Sequence, residues 1–107
     1  MLDAARSAES FIRGRTRADL DADQMLLFAL VRALEIIGEA ANNVSSEGRE
    51  QYDTVPWGEI VGLRHRIVHA YYDVNPDRVW AIAVYDVPPL IAALEQIVPP
   101  WPGDEPR

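Results

Sequence analysis

Apolar residues recur three and four positions apart along most of this chain, a spacing that predicts helices rather than strands. Leu2, Ala5, Ala8, Phe11 and Ile12 mark one face of a first helix over residues 1–13, which starts with no capping residue ahead of Leu2. Gly14 and the polar run from Arg15 to Asp23 predict a break. A long second helix follows, capped by Asp21 or Asp23 and reaching about Asn43. Leu26, Leu30, Ala33, Leu34, Ile37, Ala41 and Val44 form its stripe, and Leu27, Phe28 and Val31 widen it. Only Arg32, Glu35, Glu39 and Asn42 remain as a narrow polar stripe, so neighbouring helices or a second subunit must cover most of this helix. Gly38 sits inside it at a cost of about 1 kcal/mol against alanine, which points to close backbone packing there.

Residues 43–55 are polar and read as a connection with one helical turn around Glu47 to Tyr52. Pro56 suits a first helical position, and Trp57, Ile60, Val61, Leu63, Ile67 and Val68 give a third helix its apolar face. Asn75-Pro76-Asp77 reads as a cap and first turn of a fourth helix, with a core face at Val79, Ile82, Ala83, Val87, Leu90, Ile91, Leu94 and Ile97. Pro88-Pro89 predicts a kink or short break in it. The pattern gives an all-α up-down bundle of four to five helices over residues 1–97, followed by a flexible proline-rich acidic tail at 98–107.

Composition narrows the function. The 107 residues fit one domain, and 49% hydrophobic content supplies a real core. The absence of cysteine excludes disulfides, thiolate metal sites and a cysteine nucleophile. No apolar run reaches the roughly 18 residues of a membrane span, and no signal-peptide pattern opens the chain, so the cytoplasm is the expected location and no membrane partner is expected. A net charge of −7 argues against nucleic-acid binding by a broad basic surface but leaves room for a local site. All ten basic residues are arginine, whose planar fork suits phosphate. Arg6, Arg13, Arg15 and Arg17 make one end locally basic; solvated arginines are the simpler reading there, and a phosphate track is the alternative. Glu39 likewise reads as a solvent-facing or ion-paired carboxylate before it reads as part of a site.

Chemistry concentrates in Gly62-Leu63-Arg64-His65-Arg66-Ile67-Val68-His69-Ala70-Tyr71-Tyr72-Asp73, which holds both histidines of the protein. On one straight helix, Arg64 and His69 would point about 140° apart and be offset by about 7.5 Å along the axis. A helix that unwinds, a bent arginine or a two-fold partner would be needed to bring them together. Three readings compete. Histidine can shuttle a proton at neutral pH while arginine stabilises the charge of a phosphodiester transition state, and RNA supplies its own 2′-hydroxyl nucleophile. His65, His69 and Asp73, at four-residue spacing, could instead hold a metal, although no third histidine exists to complete the set. Or the histidines and tyrosines are core or interface residues satisfied by hydrogen bonds.

Arg64, four residues, then His69, Ala70 and Tyr71 match the signature of the HEPN superfamily, and more narrowly the chain resembles the HepT-like toxins of minimal-nucleotidyltransferase toxin–antitoxin pairs. Leu34 to Ala40 resembles the family's second-helix motif, and Val55 to Ile60 with Gly62-Leu63-Arg64 resembles its run into the active-site helix. Pro88 and Leu90 fall where a proline–leucine pair is usual. The resemblance implies a dimeric HEPN bundle with two copies of the motif facing one another across a cleft. It implies a metal-independent ribonuclease toxin of a type VII-like pair that needs no cofactor and acts on cellular RNA such as tRNA. Arg64 would hold the scissile phosphate and His69 would be the general acid/base. Tyr71 would accept AMP from a partner nucleotidyltransferase antitoxin. Two positions depart from the pattern: His65 stands where asparagine is common, and Ala70 where glycine is common. His65 could replace the amide as a hydrogen-bond partner or add a second titrating group. A relative that serves only as a non-catalytic, nucleotide-binding helical partner of a nucleotidyltransferase is the alternative of a different class.

Overall fold

The computed structural model describes residues 1–70 and 73–97; for 68–70 and 73 it describes the backbone alone. The elements in chain order are α1 (Leu2–Ile12), α2 (Asp19–Ala22), α3 (Gln24–Asn42), α4 (Ser46–Gln51), α5 (Trp57–Val61), α6 (Leu63–Ile67), β1 (Val68–Ala70), β2 (Asp73–Val74), α7 (Pro76–Ala81) and α8 (Val87–Glu95). A π-helical turn, Ile82–Asp86, joins α7 to α8. The fold is all-α, with one small hairpin added.

Helix α3 is the element against which α1, α2, α5, α6 and α7 pack. Asp23 caps it, accepting from the Leu26 N–H at 3.1 Å, and satisfies one of the four donors that every helix start leaves without a partner. Its far end is held by Arg49, which donates to the Ala41 carbonyl at 3.1 Å. Leu30, Leu34, Ile37 and Ala41 are fully buried, as the broad apolar stripe predicts. Ala5 and Ala8, also fully buried, let α1 lie close against α3. The core is wholly apolar: among the described residues no charged or polar side chain is buried. Any chemistry among them therefore takes place in surface grooves, and no described helix is long and apolar enough to cross a membrane.

Gly38 is the contact point between α3 and the elements that carry the arginine–histidine stretch. A Cβ there would stand 3.2 Å from the Ile60 carbonyl oxygen and 3.9 Å from Leu63 Cβ. The close approach inferred from an unfavourable glycine is the packing of α5 and α6 on α3.

The polar run from Arg15 to Asp23 is not a plain break. It contains α2, a single turn pinned by buried Leu20. The Thr16 N–H donates to Asp19 Oδ2 in advance of that turn. Asn75 caps α7 through the Arg78 N–H at 3.2 Å, with Pro76 in the first turn, as the sequence indicates. Pro88 and Pro89 interrupt the next helix in a specific way. Their rings crowd the carbonyls one turn back. The chain meets them with the wider Ile82–Asp86 turn rather than a bend that ends the helix. The tail expected at 98–107 lies outside the described residues.

The third helix differs most from expectation. It breaks at Gly62 into α5 and α6 and stops at Ile67, rather than carrying the whole stretch to Asp73. Val68–Ala70 then pairs antiparallel with Asp73–Val74. The physical reason is a competing partner for the helix end: the Asn75 N–H donates to the Ile67 carbonyl at 2.8 Å, closing the hairpin on the end of α6. β-Branched Ile67, Val68 and Val74 suit that geometry.

Candidate active site

Arg64, His65 and Arg66 occupy the last turn of α6, where the two guanidinium groups meet the partial negative charge of a helix end. Their fates differ. Arg66 turns to the π-helical turn and donates to Asp86 Oδ2 at 2.7 Å. Arg64 and His65 are exposed and line a groove of about 290 Å³ with Glu35, Gly38, Glu39, Asn42 and Val61. Arg64 is exposed in that groove, and its planar fork of donors suits an anion.

His69 follows α6 on β1. Val68 pairs with Val74 and Ala70 pairs with Asp73, so His69 is the extra backbone residue of a β-bulge. Bulges interrupt the ladder and bend the strand, and they recur next to active sites. The straight-helix geometry that put Arg64 and His69 on opposite sides therefore does not apply: the backbone changes from helix to strand between them. The structure brings Arg64 and His65 into one groove and places the His69 backbone just past the end of the same helix. Tyr71 lies outside the described residues. So do the side chains of His69 and Asp73, two of the three in the metal alternative.

A second hollow, of about 330 Å³, lies on the other side of α5–α6 and is walled by Ile37, Ile60, Leu63, Val87 and Leu90. Its rim charges include Arg66 and Asp86, which already satisfy one another. Its chemistry is that of an imperfectly filled core seam, and the Arg64 groove is the candidate site.

The basic end resolves in favour of the simpler reading. Arg6 pairs with Glu95 at 3.4 Å, Arg13 with Glu9 at 4.0 Å and Arg15 with Asp23 at 3.8 Å. Arg17 donates through Nε to Asp77 at 2.7 Å, and Nη1 approaches Asp21 at 3.2 Å without hydrogen-bond alignment. The hydrogen bond to Asp77 is the largest influence holding the Arg17 guanidinium above its ordinary pKa. These arginines lie beside carboxylates at the surface, in line with the simpler reading.

Comparison with known proteins sets the chain in a family. The family model described as "Ribonuclease HepT-like" matches residues 1–97, which takes in every element from α1 to α8. The chain belongs to the HepT-like ribonuclease family. Among its relatives, a protein of Caldanaerobacter subterraneus subsp. tengcongensis named "Putative RNase TTE0752" is 38% identical over 81% of this chain and 78% of its own. One from Methanocaldococcus jannaschii, "Putative RNase MJ1380", is 34% identical over 89% of this chain and 87% of its own. The "Probable ribonuclease HepT" of Thermococcus cleftensis is 33% identical over 89% and 86%. No solved structure matches the chain at the same stringency.

Glu39 is an exposed carboxylate paired with Arg32 at 3.5 Å, as the sequence indicates, and with Glu35 and Asn42 it also lines the groove of Arg64 and His65, which the sequence alone does not show. The available signal was the narrowness of that polar stripe on an otherwise apolar helix.

Proposed function

We propose that this protein is a metal-independent ribonuclease toxin in which Arg64 holds the scissile phosphate and His69 moves the proton. The reading rests on one observation above the others: Arg64 is exposed in a groove at the end of α6, with His69 on the bulged strand that follows, in a chain whose family is that of HepT-like ribonucleases. A neutral His69 imidazole takes the proton of a ribose 2′-hydroxyl. The 2′-oxygen attacks phosphorus, forming the P–O2′ bond, and the P–O5′ bond breaks as the 5′-oxygen receives a proton. The products are a 2′,3′-cyclic phosphate and a 5′-hydroxyl end. Arg64 offsets the extra negative charge of the pentacoordinate transition state. Because the nucleophile belongs to the substrate, no metal or cofactor is required. Purified protein should cut tRNA in excess EDTA. Cutting that EDTA abolishes would move the assignment to metal chemistry, and no cutting by unmodified protein would remove it.

The working unit is a homodimer in which two copies of the site face one another, so that one His69 can act as base and its copy as acid. Support comes from α3. Met25, Phe28 and Ile36 are exposed at 82%, 57% and 38%, and they fall within about 80° of arc on the helix. That apolar face ends at Ile36, three residues before Glu39, which opens into the Arg64 groove. Placing a charge in it should split the dimer: Phe28→Asp is expected to weaken association at least tenfold by sedimentation equilibrium and to lower RNA cutting in step. A Phe28→Asp variant that remains dimeric would put the interface elsewhere.

Silencing is assigned to Tyr71 and a partner minimal nucleotidyltransferase antitoxin. The tyrosine oxygen attacks the α-phosphorus of ATP, pyrophosphate leaves, and the bound AMP adds bulk and negative charge where the RNA phosphate must sit. Incubation with the partner and ATP should raise the intact mass by one AMP, and Tyr71→Phe should show no gain. The net charge of −7 favours a protein partner over a broad RNA surface, which keeps a non-catalytic helical partner of a nucleotidyltransferase as the second reading.

A further inference from the structure

We infer that Glu39 and Asn42 form a base-reading subsite beside Arg64, shaped for the Watson–Crick edge of an unpaired guanine next to the phosphate being cut. The inference rests on the ribonuclease reading of the same groove and adds to it a preferred base.

The groove has two chemically opposed walls. Arg64 and His65, at the end of α6, form the side that attracts phosphate, while Glu35 and Glu39 on α3 repel it. An RNA strand lying in this groove therefore keeps its backbone on the α6 side and turns a base toward α3. RNA read by sequence is generally read this way, through single-stranded bases splayed out and bonded on their edges. An ionised carboxylate only accepts hydrogen bonds, so the base it takes must present N–H groups. Guanine presents two side by side, N1–H and the N2 amine, next to the O6 acceptor. Asn42 stands three residues beyond Glu39 on the same face of α3, and its amide NH₂ can donate to O6 while the Glu39 carboxylate accepts the two donors. Cytosine and adenine set one exocyclic amine beside a ring nitrogen that also accepts, and uracil flanks a single N–H with two carbonyls that the carboxylate repels.

Three features leave this wall ready for use. Gly38 lies between Glu39 and the α6 side and carries no side chain to fill the groove. Glu39 is 64% exposed, and its ion-pair partner is Arg32, at 3.5 Å, itself 60% exposed. Such a surface pair forms and breaks at little cost. Arg32 also lies 3.6 Å from Glu35, so it remains paired when Glu39 turns to a base.

The test uses the full chain and fluorescein-labelled, non-cleavable 2′-O-methyl oligouridines carrying one central guanine, inosine, adenine, cytosine or uracil. Anisotropy should show the guanine probe binding about tenfold tighter than all-uridine, the size of one good bidentate pair. Inosine, which lacks the N2 amine, should lose most of that gain. Glu39→Gln and Asn42→Ala, both at exposed positions that carry no core packing, should bring the guanine-to-uridine ratio to within about twofold. Equal binding of all probes by wild type, no binding of any probe, or a Glu39→Gln shift equal for every base would overturn the subsite. Matching all-ribose oligonucleotides separate this from the ribonuclease reading. Guanine preference in binding without any cutting removes the nuclease and keeps the subsite; cutting with no base preference keeps the nuclease and removes the subsite.

Discussion

His69→Ala is expected to lower RNA cutting by about 10²- to 10⁴-fold, the usual contribution of a positioned general acid or base. Arg64→Ala should cost about 10²- to 10³-fold, the scale for one transition-state hydrogen-bond donor. Both variants should keep wild-type helicity by far-UV circular dichroism and the same sedimentation behaviour. Arg64 is exposed and outside the apolar core, so its loss has no route to activity through the core. Arg64→Lys separates charge from geometry: a lysine keeps the cation but not the two-pronged fork, and should recover only part of the activity. The double variant should lose little beyond His69→Ala alone, because residues that act as a unit are not additive. If either single variant cuts RNA at the wild-type rate, that residue has no part in the reaction.

Gly38→Val is expected to destabilise the fold by about 1–3 kcal/mol, the range for forcing extra carbon into a packed interface. Valine gains helix propensity over glycine, but its Cβ must displace the Ile60 carbonyl, which lies 3.2 Å away within α5. Ile60 and Leu63 are both buried, so the backbone cannot yield there without moving the core. Urea denaturation should show a lower midpoint with little change in slope. Because α5 leads directly into α6, the same shift moves Arg64, and RNA cutting should fall by more than the loss of folded protein accounts for. A variant as stable and as active as wild type would show that α3 and α5 have slack at their crossing, and that Gly38 is not what sets Arg64 in place.

Particular residues show why some of this was legible in the sequence and some was not. Leu30, Leu34 and Ile37 announced a buried helix because burial on most sides requires an apolar arc wider than a surface helix carries. Asp23 and Asn75 announced their caps because a capping side chain acts within three residues, a range that local reading can see. The end of α6 was different. Ile67 and Val68 continue the helical apolar spacing, and nothing nearby says that the Asn75 N–H, eight residues on, will take the Ile67 carbonyl. Non-local pairing decided between two conformations that the local pattern allows equally. The prolines at 88 and 89 signalled an interruption, but the local pattern does not distinguish a bend from the π-helical turn that forms at Ile82–Asp86. Family resemblance supplied the roles proposed for Arg64, His69 and Tyr71. That Glu39 and Asn42 line one groove with Arg64 follows from the crossing of α3 and α6, which places residues from distant parts of the chain around it.

The chemistry of the cut ends tests the central claim most directly. RNA digested by the purified, unmodified protein in excess EDTA should carry 2′,3′-cyclic phosphate and 5′-hydroxyl termini by mass spectrometry, and the His69→Ala digest should contain neither above background. Termini bearing 3′-hydroxyl and 5′-phosphate groups, or cutting that appears only when a divalent metal is restored, would contradict it.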